Sequence, residues 1–92
     1  MKKQKYIVGN WKMNSNKQIA RNLMHSLIDK VELVSNNHLI IAPPFPYLGC
    51  IKELINKQPI GIAAQDVSSN NNGAFTGEVS ANMLQDLGCS YV

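Results

Sequence analysis

The sequence contains no hydrophobic run that approaches the roughly 20 residues of a membrane-spanning helix. Its first ten residues, MKKQKYIVGN, hold too few apolar side chains for the core of a secretory signal. It has only two cysteines, Cys50 and Cys89, with no CxxC pair and no Cys/His cluster at metal-ligand spacing. These absences argue against a membrane protein, a disulfide scaffold and a metal site. They favour a soluble, cytoplasmic protein whose cysteines are reduced.

An excess of charge of one sign is also lacking. Nine Lys and Arg residues against six Asp and Glu give a net charge of +3, and the basic residues form no stripe with interleaved aromatics. A nucleic-acid partner is therefore not expected. Hydrophobic residues make up 45% of the 92 positions, which is a globular composition with enough apolar matter for one core.

Short apolar runs alternate with helical patterns. The runs YIV (6–8), LIIA (39–42), IGIAA (60–64) and CSYV (89–92) are bounded by Gly, Pro, Asn or Gln, which predicts four strands. Ser15 with Gln18 three residues later predicts a capping box at the start of the first helix. That helix carries an apolar stripe at Ile19, Leu23, Leu27 and Val31, flanked by Ala20, Met24 and Ile28.

Two further helices follow. The second begins in the proline-rich APPFPY and ends at Asn56 and Pro59, and the third is closed by Gly88. The alternation predicts an α/β fold with a parallel sheet and right-handed crossovers. The pattern leaves an open sheet and a closed barrel as alternatives, and an eight-unit (β/α) barrel would need about 250 residues.

A charge follows the first strand, in GNWK. If the chain stays extended past Val8, its period of two places Tyr6, Val8, Asn10 and Lys12 on one face. Ligands of parallel α/β proteins bind beyond the carboxyl ends of strands, where a lysine suits a phosphate or a developing oxyanion. From spacing alone, a solvated Lys12 and an Asn10 that merely caps a turn are equally good interpretations.

The third connection is long and polar, from Gln65 to Glu78, and it holds a lone apolar side chain, Phe75. One interpretation is a loop that folds back on its own helices. The other is a loop that protrudes and docks into a partner subunit.

Three stretches together resemble one family. The segments VGNWKMN, APPFPYL and AAQDV, the last followed by GAFTGEVSANMLQDLGCSYV, are similar to the N-terminal part of triosephosphate isomerase, in order and at consistent spacing. The resemblance implies a (β/α)₈ barrel of which residues 1–92 supply the first three and a half units, as an N-terminal segment of one domain. It also implies an isomerase of glycolysis and gluconeogenesis that interconverts dihydroxyacetone phosphate and D-glyceraldehyde 3-phosphate through an enediolate, with no cofactor.

The resemblance carries over residue roles as well. Asn10 and Lys12 would be catalytic and substrate-binding residues, with Lys12 stabilising the charge of the enediolate. The family is homodimeric through the loop that corresponds here to Gln65–Glu78. The implied interface residues are Met13, Gln65, Phe75, Thr76 and Glu78, with Thr76 approaching the partner's active site.

The chain departs from the family at its end. The family's histidine and glutamate lie beyond Val92, and neither His25 nor His38 occupies a matching position. The segment alone is therefore expected to be inactive, and to need the missing C-terminal part of the barrel. The alternative is a half-barrel that serves as a non-catalytic assembly or interaction module.

Overall fold

A computed structural model describes residues 3–34 and 36–92. Strands β1 (Tyr6–Asn10), β2 (His38–Ala42) and β3 (Ile60–Ile62) form one parallel sheet in the order β1-β2-β3. The helices that follow them in turn are α1 (Lys17–Lys30), α2 (Leu48–Ile55) and α3 (Ala81–Asp86), with 3₁₀ turns at Val31–Val34 and Phe45–Tyr47. The predicted alternation of strands and helices is confirmed.

The two faces of the sheet are different in character. On the side covered by helices, Ile41 and Ile62 belong to the main core with Met24, Ile51 and Leu84. On the other side, Ile40, Ala42 and Ala63 form a second, smaller cluster. Because paired residues of a parallel ladder share a face, Val8 and Asn10 lie on this second face beside Ile40 and Ala42. All five residues of β1 are exposed.

Helix α1 packs by a face slightly rotated from the predicted stripe. Ala20 and Met24 are fully buried, whereas Ile19 remains 53% exposed and Leu23 38% exposed. The predicted apolar surface included both the stripe residues and the residues that flank them. Periodicity alone therefore did not show which of the two sets would be most deeply buried. The two fully buried positions of the helix, Ala20 and Met24, are thus residues that were predicted to flank the stripe.

The predicted capping box at the start of α1 is wrong. The N-cap is Asn16, whose Oδ1 accepts a hydrogen bond from the Ile19 amide at 2.8 Å. Ser15 instead donates to the Asn16 carbonyl, and Gln18 donates to Asn22 one turn further along the helix. Asparagine caps helices as well as serine does, and here it stands one residue nearer the helix.

The ends of the other helices follow the predictions. Asn56 closes α2 with a positive φ of 39°, and Gly88 follows α3 with a φ of 98°. A side chain at Gly88 would also collide with Lys52, whose Cε lies 2.7 Å from the position of a Cβ there. Because the lysine side chain is flexible and can move aside, the requirement for glycine here is mainly conformational, from the positive φ.

The predicted fourth strand, residues 89–92, is reduced to one parallel bridge between Tyr91 and Ala63. Hydrogen bonds from the Ser90 amide to the Ile62 carbonyl and from the Ala64 amide to the Tyr91 carbonyl hold it beside β3. The Tyr91 ring covers Gly61, where a Cβ would lie 3.0 Å from the ring. The fourth segment thus has the predicted place and direction, but a shorter ladder.

Within residues 3–34 and 36–92, no helix is long and apolar enough to cross a membrane. The same residues include no group of three His, Cys, Asp or Glu side chains placed to hold a metal ion.

Candidate active site

The carboxyl end of β1 carries the first candidate residues. Asn10 is the last residue of the strand, and the Trp11 amide continues the pairing by donating to the Ala42 carbonyl at 3.1 Å. Trp11 packs against the main core. The predicted alternation therefore holds as far as Trp11.

Lys12 departs from that alternation. The expectation that the chain stays extended through Lys12, so that the strand period of two sets the direction of its side chain, is wrong. Its φ is 56°, in the left-handed region that side chains with a Cβ rarely occupy. The chain turns at this residue instead of running on as a strand. Non-glycine residues in such conformations cluster at functional sites, where surrounding contacts hold the strain.

Both backbone polar groups of Lys12 are bound by side-chain amides. Its N–H donates to Asn10 Oδ1 at 2.9 Å, and its carbonyl accepts from Gln65 Nε2, also at 2.9 Å. Immediately after it, Asn14 Nδ2 donates to the Trp11 carbonyl at 3.1 Å. The turn is therefore fixed by three side chains rather than by backbone pairing.

Gln65 ties the ends of the three strands together. Besides the Lys12 carbonyl, its Nε2 donates at 2.8 Å to the Ala42 carbonyl, at the last residue of β2. Gln65 itself follows β3, so one amide nitrogen links the segments that leave β1, β2 and β3. The family resemblance implied only a subunit-interface role for Gln65, and nothing in the sequence indicated this contact inside the chain.

Two of the predicted interface residues, Met13 and Gln65, lie at this turn and border the same hollow, whereas Phe75, Thr76 and Glu78 lie further along the long loop. Met13 is 94% exposed and borders an open hollow of about 240 Å³. The other lining residues of the hollow are Pro44, Phe45, Pro46, Gln65 and Asp66. Its walls come from the turn after β1, the segment after β2 and the start of the long loop.

The long loop is closed at its base, where the Ser68 amide donates to the Val79 carbonyl at 2.8 Å. At its tip, Phe75 lies against Gly73 and remains 48% exposed, while Thr76 and Glu78 are exposed. Phe75 shares a shallow hollow with Ser80 and Met83 near α3. The loop thus folds back on its own chain in part, and still leaves half of its aromatic side chain uncovered.

Neither histidine lies at the strand ends that carry these residues. His38 begins β2, where its ring stacks on Tyr6 with centroids 4.6 Å apart and its Nε2 lies 3.0 Å from Gln4 Oε1. His25 lies within α1 and is exposed. His38 is thus at the amino end of the sheet, opposite the strand ends that carry Asn10 and Gln65.

Comparison with known proteins places this arrangement in a family. A sequence model of triosephosphate isomerase matches residues 5–92. The chain belongs to the triosephosphate isomerase family. The enzyme of that name from Erwinia tasmaniensis is 44% identical over 86 residues, and that from Buchnera aphidicola subsp. Baizongia pistaciae is 43% identical over 93 residues.

Each triosephosphate isomerase in this comparison is much longer than the chain. The alignments cover 94% and 98% of this chain, but 34% of the Erwinia protein and 37% of the Buchnera protein. The crystal structure of triosephosphate isomerase from Bartonella henselae superposes with a TM-score of 0.83 at 25% identity, over 92% of this chain and 35% of that one. The chain therefore spans about a third of these relatives, and its parallel sheet with helices is part of a (β/α) barrel.

Proposed function

We propose that the complete protein is a triosephosphate isomerase, in which this chain supplies Lys12 and Asn10 to the active site. The reaction interconverts dihydroxyacetone phosphate and D-glyceraldehyde 3-phosphate by moving a proton between adjacent carbons through an enediolate. The supporting observation is the left-handed Lys12, held by Asn10 and Gln65 at the carboxyl end of the sheet. Family membership supplies the reaction class.

The proposed role of Lys12 follows from the charge that the reaction creates. Removing a proton beside a carbonyl leaves negative charge on oxygen, and the substrate already carries a phosphate. A lysine ammonium is a compact positive charge with three donors, which suits both groups. Because the backbone of Lys12 is fixed before substrate arrives, little reorganisation is needed as charge develops.

Among residues 3–34 and 36–92, none of the three carboxylates from the long loop onward is placed to act as the base. Asp66 uses a carboxylate oxygen to accept from the Val67 amide, Glu78 lies on the exposed loop, and Asp86 ends α3. Proton abstraction needs a base within hydrogen-bond reach of the substrate carbon. We therefore propose that the base comes from the part of the barrel beyond this segment, and that residues 1–92 alone are inactive.

A chimaeric barrel tests the proposal. Residues 1–92 are joined to the remaining two thirds of the Erwinia tasmaniensis enzyme, and isomerase turnover is measured with a coupled assay. We expect turnover in the chimaera, and a loss of about 100-fold or more in Lys12→Ala, because removing one stabiliser of a developing oxyanion costs about 10²–10³. Lys17→Ala, at the exposed start of α1, is the matched control and should keep full turnover.

Two results would contradict the proposal. One is a chimaera that fails to form a barrel, or that folds and shows no turnover. The other is a Lys12→Ala chimaera with near-normal turnover.

We further propose that the complete protein is a homodimer, with the loop from Gln65 to Glu78 seated against a second copy. The half-exposed Phe75 and the hollow beside Met13 support this arrangement, because each leaves apolar surface that a partner would cover. In sedimentation experiments on the chimaera, Phe75→Ala should weaken the dimer at least tenfold. Leu33→Ala, which removes another exposed apolar side chain, should leave it unchanged. An unaltered dimer in Phe75→Ala would argue for an interface elsewhere.

The alternative function of the isolated segment is that of an assembly or interaction module. No strand among residues 3–34 and 36–92 pairs with the outer edge of β1, whose Tyr6 and Val8 are 63% and 55% exposed. Such an edge is a template for pairing with another chain. We expect the 92-residue chain alone to be unstable, to self-associate, or to bind the complementary part of a barrel. A monomer that unfolds cooperatively at micromolar concentration would refute this.

A further inference from the structure

We infer that Gln65 is a positioning residue for Lys12: its side-chain amide holds the Lys12 carbonyl and so keeps the lysine backbone left-handed. The inference rests on the proposed role of Lys12 and extends it to a residue after a different strand. Gln65 lies 53 positions from Lys12, and its Nε2 is 2.9 Å from the Lys12 carbonyl oxygen. Because this contact lies within one chain, it is distinct from the subunit-interface role expected for Gln65.

The chemistry of the contact requires a donor with two protons. The same Nε2 also donates to the Ala42 carbonyl at 2.8 Å, so both N–H bonds of the amide are used. A carboxylate at this position is an acceptor only and would face two carbonyl oxygens. Among side chains of this length and shape, only the glutamine amide satisfies both acceptors.

The contact completes a clamp on a backbone that is otherwise disfavoured. Asn10 holds the N–H of Lys12 and Gln65 holds its carbonyl, so the peptide groups on both sides of the left-handed residue are fixed. Ala42, the second acceptor, belongs to β2 and also receives the Trp11 amide. Through Gln65, the Lys12 backbone is therefore connected to β2 of the sheet, and its position does not depend on its own loop alone.

The test uses three variants of the chimaeric barrel. Gln65→Ala removes both donor bonds, and Gln65→Glu keeps the shape but loses the donors when ionised. Gln58→Ala is the matched control, because Gln58 precedes β3 at the opposite end of the strand and is held there through its backbone. Turnover is measured at protein concentrations where activity per site no longer changes, so that a weaker dimer does not affect the result.

We expect Gln65→Ala to lower kcat by about 10-fold to 100-fold, as small misplacements of a reacting group do. Gln58→Ala should stay within twofold of the parent. In a Lys12→Ala background, Gln65→Ala should have less than a twofold further effect, since the two changes then act on one interaction. A merely structural role would produce the same loss in both backgrounds, and that result would overturn the inference.

The pH profile supplies a second readout. As the pH falls toward the carboxyl pKa, the carboxylate introduced by Gln65→Glu gains a proton that it can donate to one carbonyl. The kcat of this variant relative to the parent should therefore recover toward low pH, whereas the ratio for Gln65→Ala should stay flat. A flat ratio for Gln65→Glu would count against a donor role.

A readout independent of turnover separates this inference from the proposed function. The backbone carbon chemical shifts of Lys12 in the labelled chimaera report its left-handed conformation, and Gln65→Ala should move them while Gln58→Ala should not. Unmoved shifts in Gln65→Ala would refute the inference even if the chimaera is an active isomerase. Moved shifts in a folded chimaera without turnover would support the positioning and refute the proposed function.

Discussion

Replacing Lys12 by glycine should stabilise the protein relative to replacing it by alanine. Both variants lack the ammonium group, so the difference between them isolates the backbone. At a φ of 56°, a residue with a Cβ is disfavoured by roughly 1–2 kcal/mol. Glycine avoids this strain, but part of its advantage is lost because the unfolded glycine variant has more conformational freedom than the alanine variant. That entropy is worth about 0.4–1 kcal/mol.

Taken at their midpoints, the two terms leave Lys12→Gly about 0.8 kcal/mol more stable than Lys12→Ala. In a barrel of some 250 residues, 1 kcal/mol corresponds to roughly 2–4 °C in Tm, so the expected gap is about 1–4 °C. The measurement is thermal unfolding of both variants in the chimaera, checked by urea titration at one temperature. Both variants should have lost turnover to the same extent.

The variants Lys57→Gly and Lys57→Ala are the control, because at this position the difference in stability between glycine and alanine should have the opposite sign. Lys57 is exposed in the turn after α2, and it is not among the residues with positive φ. There glycine should be less stable than alanine by about 0.4–1 kcal/mol. If Lys12→Gly is no more stable than Lys12→Ala, or if both positions behave alike, the strain assigned to Lys12 is not present.

Two further predictions concern helix capping and thiol reactivity. Asn16→Ala should cost about 1 kcal/mol in a urea titration, because it removes the N-cap acceptor of α1, whereas Ser15→Ala should change stability by less than about 0.5 kcal/mol; equal losses would restore the serine cap. Burial raises the pKa of the Cys89 thiol, against a smaller lowering by Lys52, so Cys50, which is exposed, should be alkylated first. Peptide mapping after alkylation checks the order. The preference for Cys50 over Cys89 should become smaller as pH rises, because more of the Cys89 thiol is then ionised.

The sequence predicted the parts of the fold that depend on local pattern. Apolar runs flanked by turn residues placed all three strands, and the left-handed Gly88 was expected from its place after a helical pattern. Each of these signals lies within a few residues of the element that it specifies. The capping prediction failed because SNKQ offers two good caps, Ser15 and Asn16, in neighbouring positions, and the local sequence does not choose between them.

The parts that could not be predicted depend on contacts distant in sequence. Nothing in GNWKMN requires a left-handed lysine, because the amide that binds its carbonyl comes from Gln65, after β3. The available signal was compositional: Asn10, Asn14 and Asn16 crowd one short segment, as is typical of turns with side-chain to backbone hydrogen bonds. That signal indicates a turn without indicating which residue is strained.

The geometry connects the proposed chemistry to completion of the sheet. The charge of Lys12 is carried by the segment after β1, but its backbone is held from β2 through Ala42 and from β3 through Gln65. If Gln65 positions Lys12 as inferred above, the contacts that hold this conformation are complete only after three successive units have paired, although those units are far apart in the chain. Under the proposed function, the electrostatic half of the site is then complete before the unit that contributes the base is added. Under the same proposal, a segment of this length holds the charge in place, and the proton transfer needs the rest of the barrel.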